Sequence, residues 1–97
     1  VILLVRSSGG RYVELDWDAW THARERHPEI HGALSNVVKT IEQPMHREPD
    51  KMPGRERLYR RTPARAWMRV VLEFSGDFDR FVTAFLQDGD PRPRQPR

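Results

Sequence analysis

Pro28-Glu29-Ile30-His31-Gly32-Ala33-Leu34-Ser35-Asn36-Val37-Val38-Lys39-Thr40-Ile41-Glu42-Gln43 is the stretch that decides the fold. Ile30, Leu34, Val37, Val38 and Ile41 follow one another at steps of four, three, one and three residues, the spacing of a single apolar stripe along a helix. Proline suits the first turn of a helix and cannot extend one, so this reading predicts a helix from Pro28 to about Gln43, stopped before Pro44. A helix with one apolar stripe needs a surface to lie on, and the rest of the chain has to supply it.

Upstream, Asp16 can cap a helix that runs from Trp17 to His27, with Asp18 in the first turn and Arg24, Arg26 and His27 in the last, as the helix dipole prefers. Before it, Val1 to Val5 and Arg11 to Leu15 are short β-prone runs separated by Ser7-Ser8-Gly9-Gly10, which reads as a hairpin or a tight strand connection. Downstream, Gln43 to Arg57 carries Pro44, Pro49, Pro53 and Gly54 among charges and reads as a loop. Strands are predicted at Leu58 to Arg61, Ala66 to Phe74 and Arg80 to Leu86, with connections short enough for antiparallel neighbours. The expectation is one α+β domain over residues 1–87, with two N-terminal helices packed on one face of a small antiparallel sheet. Residues 88–97, with Pro91, Pro93 and Pro96, are expected to form a disordered tail. No internal repeat is present.

At 97 residues the chain has room for one core only. It contains no cysteine, so disulfides and thiolate zinc sites are excluded, and the cytoplasm is the expected compartment. The longest apolar run, Val1 to Val5, falls far short of the roughly 20 residues that span a bilayer and lacks the basic leader of a signal peptide, so no membrane association is expected.

The formal net charge is +3, but its distribution says more. Between Arg47 and Arg69 eight basic residues (Arg47, Lys51, Arg55, Arg57, Arg60, Arg61, Arg65, Arg69) face three acidic ones (Glu48, Asp50, Glu56). Arginine donates two parallel hydrogen bonds to phosphate oxygens, so an excess of this kind suits phosphate recognition; a solvated basic loop is the plain alternative.

Alternation along the strands puts Met68, Val70, Leu72 and Phe74 on one face and Trp67, Arg69, Val71 and Glu73 on the other. In the last strand Val82, Ala84 and Leu86 match the core set, which leaves Phe81, Thr83 and Phe85 opposite. A face bearing Trp67, Arg69, Phe81, Thr83 and Phe85 combines cation, hydroxyl and rings, the ingredients for holding a phosphate and stacking bases. Taken singly, the two phenylalanines also fit a second small core, and Thr83 is a common strand residue.

On the first helix His22 and Arg26 lie one turn apart on one side, with Trp20, Ala23 and His27 on the other. His22 can serve as a proton carrier or as a plain surface histidine, and His27 as a helix-end residue bonded to backbone. His27 and His31 are four residues apart, but Pro28 separates them and no carboxylate is poised to complete a metal shell, so no metal or other cofactor is expected.

The order Trp20-x-His22, Arg26-His27-Pro28-Glu29-Ile30, an apolar helix ending in Thr40-Ile41-Glu42-Gln43-Pro44, the strand Leu58-Tyr59-Arg60, a Val70-Val71 strand and a closing Val82-Thr83-Ala84-Phe85 resembles the phage and bacterial branch of the barnase, EndoU, colicin and RelE-like nucleases. The likeness spans His22 to Phe85, and Arg-His-Pro-Glu is its distinctive element. Ala23 stands where the family usually has a bulky aliphatic residue. The resemblance implies a small metal-independent endoribonuclease, often a toxin, acting on RNA that is free or on the ribosome, with an antitoxin or immunity protein as partner. It matches His22 to the family's helix histidine, Thr83 to its last-strand hydroxyl, and Tyr59 and Arg60 to its aromatic-basic strand.

The expected catalytic set is therefore His22, Arg26, Arg60 and Thr83: a proton carrier, two phosphate clamps and a hydrogen-bond donor. Tyr59, Arg61, Arg69 and Phe85 are expected to bind RNA. The rival reading is a non-catalytic RNA-binding or protein-interaction module built from the same residues, and only the geometry of His22, Thr83 and an arginine separates the two.

Overall fold

The computed structural model describes residues 2–93. Its elements are β1 (Ile2–Arg6), β2 (Tyr12–Asp16), α1 (Trp17–Arg26), a 3-10 turn (Pro28–Ile30), α2 (Leu34–Glu42), β3 (His46–Pro49), β4 (Arg55–Arg61), β5 (Trp67–Ser75) and β6 (Phe78–Gln87). The architecture is α+β: two helices and a six-stranded sheet in the order β1-β2-β6-β5-β4-β3.

The sheet is mixed rather than antiparallel, because β2 runs parallel to β6 over Tyr12↔Phe78, Val13↔Asp79 and Glu14↔Arg80. A parallel pair joins strands far apart in sequence, and no local pattern announces it. The helices lie after the first hairpin, between β2 and β3, rather than at the N-terminus. The hairpin itself is as expected: the Ser7 N–H donates to the Arg11 carbonyl at 2.8 Å, and Gly10 takes φ +84°, a conformation that favours glycine. Arg11 then ties this turn to the start of β6 through an ion pair with Asp79 at 2.9 Å.

α1 starts where predicted and ends at Arg26, one residue short of His27, and Asp16, the last residue of β2, makes no side-chain capping bond. The second helix is shorter than expected. Pro28 opens a 3-10 turn, Gly32 at φ +83° breaks the path, and α2 starts only at Leu34. Ile30, Val37 and Ile41 are nevertheless fully buried, with Leu34 and Val38 packed beside them, so the stripe does its work across two elements instead of one.

The core gathers Val5, Val13, Leu15, Trp20, Ala23, Ile30, Val37, Ile41, Leu58, Met68, Val70, Leu72, Phe81 and Ala84. One member departs from the expectation. A bulge in the β5–β6 ladder pairs Val71 with Thr83 but Leu72 with Phe81, leaving Val82 as the extra residue. Side-chain phase shifts by one across the bulge, so Phe81 turns into the core against Trp20 (ring centres 6.1 Å apart), Val82 leaves it, and Thr83 and Phe85 stay on the opposite face. Phe74, expected inside, is 48 % exposed.

The stretch read as a loop contains β3, paired antiparallel with β4 from His46↔Tyr59 to Pro49↔Glu56, and β4 itself begins at Arg55. β3 lies at the sheet edge, where a terminal proline is tolerated. Of the expected tail, Asp88 to Pro93 are described: Arg92 is paired with Asp90 at 2.7 Å and sits over the Trp67 ring at 5.0 Å. Residues 94–97 lie outside the described residues.

Candidate nucleic-acid interface

Two rows of side chains cross the sheet face turned away from the core. Strand register aligns His46, Tyr59, Arg69 and Phe85 in one row and Glu48, Arg57, Val71 and Thr83 in the next, each taking one residue from β3, β4, β5 and β6. Every expected RNA-binding residue except Arg61 is therefore in the first row, and Thr83 ends the second.

At the β6 end of these rows α1 supplies the other half of a cleft. His22 and Arg26 are exposed, Trp20 and Ala23 are buried, and His22, Ala23, Arg26, Arg55, Val82 and Thr83 enclose a space of ≈ 290 Å³. Ala23 forms part of its wall, so the small residue at this position leaves room in the cleft. Arg55 also donates from Nε to the Glu73 carboxylate at 3.1 Å. The Thr83 hydroxyl is covered and has no hydrogen-bond partner. Leaving such an oxygen unpaired costs about 1–3 kcal/mol, so an acceptor brought into the cleft gains a donor that folding has left free once neighbouring side chains move aside.

The first row is a stack built around Arg69. Its guanidinium carbon lies 4.9 Å from the centre of the Phe85 ring and 5.8 Å from that of Tyr59, and Nη2 is 3.9 Å from the Asp50 carboxylate. Tyr59 is only 2 % exposed, so its ring is a support for Arg69 rather than an open platform for a base. The Tyr59 hydroxyl donates to Glu48 at 2.6 Å, and burial first, then this bond, raises its pKa above the usual phenol value. Phe85 is partly exposed and carries His27 at 5.0 Å between ring centres, where backbone bonding was expected of that histidine.

β3 and Asp50, the residue after it, balance the arginines. Arg57 Nε donates to Asp50 at 2.6 Å, and Arg57 Nη1 lies 3.8 Å from Glu48. The Arg57 bond is the largest reason that the Asp50 carboxyl sits below its ordinary range.

Arg60 and Arg61 do not join this cleft. Alternation points Arg60 toward the helices, where its Nη1 donates to the Gln43 carbonyl at 2.8 Å, and both arginines line a separate cleft beside α2. Arg55 stands in the place that sequence reasoning gave to Arg60. His46, Glu48 and Asp50 were missed as site residues together with β3, and Arg55 and Arg57 were read only as part of the basic stretch and not assigned to a site. Their signal is period-2 alternation without an apolar member, as in His46-Arg47-Glu48 and Arg55-Glu56-Arg57. Among the described residues no group of three His, Cys, Asp or Glu side chains converges as metal ligands, and no helix is long and apolar enough to cross a membrane.

Compared with protein-family models, with curated proteins and with solved structures, the chain matches none.

Proposed function

We propose that the protein is an endoribonuclease that cleaves RNA by attack of the ribose 2′-hydroxyl on the adjacent phosphate, without a metal ion. The observation that carries this reading is the single cleft lined by His22, Arg26, Arg55 and Thr83. A histidine, two guanidiniums and a hydroxyl around one space are what this chemistry needs, since the nucleophile is already in the substrate. His22 accepts the 2′-hydroxyl proton as the new P–O bond forms. The 5′ oxygen leaves as the old bond breaks and takes a proton from water, giving a 2′,3′-cyclic phosphate and a 5′-hydroxyl. Arg26 and Arg55 face the charge that gathers on the non-bridging oxygens, and Thr83 donates to one of them. Arg69, propped on Phe85 and Tyr59, binds the neighbouring phosphate. On this reading the substrate is cytoplasmic RNA, free or ribosome-bound, and an antitoxin or immunity protein would neutralise the toxin by covering the same face.

The covered state of the Thr83 hydroxyl favours the second reading, a binding module of the same fold without chemistry. Purified protein incubated with single-stranded RNA in excess chelator separates the two. The enzyme reading expects cyclic-phosphate ends, no cleavage of DNA and none of RNA methylated on its 2′-hydroxyls. Cleavage of the methylated strand would refute internal attack, and dependence on added divalent metal would refute metal independence. Intact naked RNA and intact RNA on translating ribosomes would leave the binding module.

A further inference from the structure

Arg60 and Arg61, which the cleft at α1 leaves unused, line a cleft of ≈ 410 Å³ between α2 and the β4–β5 turn. Its walls are Asn36, Lys39 and Thr40 from α2, Met45, the two arginines, Thr62 and Pro63. Three cations converge there and no carboxylate lines the space. None of the three forms an ion pair among the described residues, unlike Arg11, Arg47, Arg55, Arg57 and Arg92. Asp90 is already held by Arg92 at 2.7 Å. The walls are also braced. Arg60 is anchored on the Gln43 carbonyl, Arg61 donates its backbone N–H to the Met45 sulfur at 3.4 Å, and the Thr62 hydroxyl donates to the Ala66 carbonyl at 2.9 Å.

We propose that this cleft is a second phosphate subsite, in which Lys39, Arg60 and Arg61 hold the backbone of the same single RNA strand that occupies the cleft at His22 and Thr83. The inference rests on the endoribonuclease reading. β4 connects the two clefts: Arg55 lines the first and Arg60 and Arg61 line the second, six steps along the strand or about 20 Å apart. Between them Arg57 and Arg69 lie on the open face, and Arg61 shares the alternation phase of Arg55 and Arg57 while reaching round the strand end into the second cleft. A strand following these cations runs along β4 and over its end. At about 3.4 Å of rise per phosphate, the span corresponds to about six stacked nucleotides, fewer if the strand is stretched, so the substrate class is an extended single strand rather than a dinucleotide.

The test measures binding of a fluorescent 12-nucleotide RNA methylated on every 2′-hydroxyl, which internal attack cannot cut, as a function of salt. The double variant Lys39→Ala, Arg61→Ala removes two exposed charges, and circular dichroism checks that it folds; Lys39→Gln alone is the fallback. The expected result is a salt slope shallower by about 0.7 to 1.4, one or two phosphates' worth, for the double variant. An unchanged slope, with wild-type binding intact, would overturn the second subsite and leave the first cleft standing. Wild-type protein that binds the strand with no salt dependence, or not at all, would overturn the subsite and the RNA reading together.

Discussion

The Arg69 guanidinium rests 4.9 Å from the centre of the Phe85 ring, directly across the β5–β6 ladder from it. Tyr59, its neighbour on β4, flanks it at 5.8 Å, and Asp50 is 3.9 Å from Nη2. Two rings and a carboxylate thus fix a cation whose Nε is covered and has no hydrogen-bond partner. The aromatic residues act first on the arginine and only through it on a ligand.

This arrangement separates shape from charge. Arg69→Lys keeps the positive charge and loses the planar group that lies on the ring, so RNA affinity is expected to fall about fivefold to tenfold, roughly 1–1.4 kcal/mol, with the salt slope unchanged. Arg69→Gln removes the charge and is expected to lower the slope by about 0.7 as well. Fluorescence anisotropy across a salt series reads both. Equal affinities for wild type and the lysine variant would show that stacking on Phe85 contributes nothing to binding.

His22 is exposed and makes no side-chain hydrogen bond among the described residues, so His22→Ala is expected to leave the melting temperature where it is. If His22 moves the 2′-hydroxyl proton, the cleavage rate should fall about 10²- to 10⁴-fold. Single-turnover cleavage of a short RNA measures it. A variant as fast as wild type would assign the proton transfer elsewhere on the open face.

How far the sequence carried the fold depends on how local each feature is. The apolar stripe from Ile30 to Ile41 and the alternation in Met68-Arg69-Val70 are contained within their own segments; the strand lies where its pattern puts it, and the stripe is buried as its pattern requires although a 3-10 turn and a shorter helix share it. β3 was hidden because its half-buried residues, His46 and Glu48, are polar, so period 2 carried no hydrophobic contrast. The parallel β2–β6 pair and the bulge at Val82 are decided by strands 60 or more residues apart or by a partner's register, which no window contains. The site followed the same rule. His22 and Arg26 are read from one helix and Thr83 from one strand, and they line one cleft. Arg55 replaces Arg60 beside them because β4 starts earlier than its apolar residues announce, which was invisible until β3 was seen to pair with it.

Thr83 should set stability against activity. Its covered hydroxyl has no partner, so Thr83→Val, which keeps the branched shape and removes the oxygen, is expected to raise unfolding stability by about 1 kcal/mol. The same change deletes the donor proposed for the phosphoryl oxygen and should slow cleavage at least tenfold. Denaturant titration and a cleavage assay on the same preparation check the pair. A variant that is both less stable and fully active would remove Thr83 from the site.

Asp50 links the charged face to pH. Arg57 donates to it at 2.6 Å, the Met52 N–H donates at 3.2 Å, and its pKa is lowered from 3.8 in consequence. In acid the unfolded chain therefore binds a proton at Asp50 before the folded chain does, and stability rises with pH over that interval. The contribution is fully present above the unfolded value and is lost as pH falls through the lower folded one. Asp50→Asn cannot ionise, so its stability should lie below that of wild type at neutral pH and meet it in strong acid, with a flatter acid limb between. Urea titrations from pH 7 down to about pH 2 trace both curves across the ordinary aspartate range. Parallel acid limbs would mean that the Arg57 bond does not survive in solution, and the charge balance drawn for Arg57 and Arg69 would fall with it.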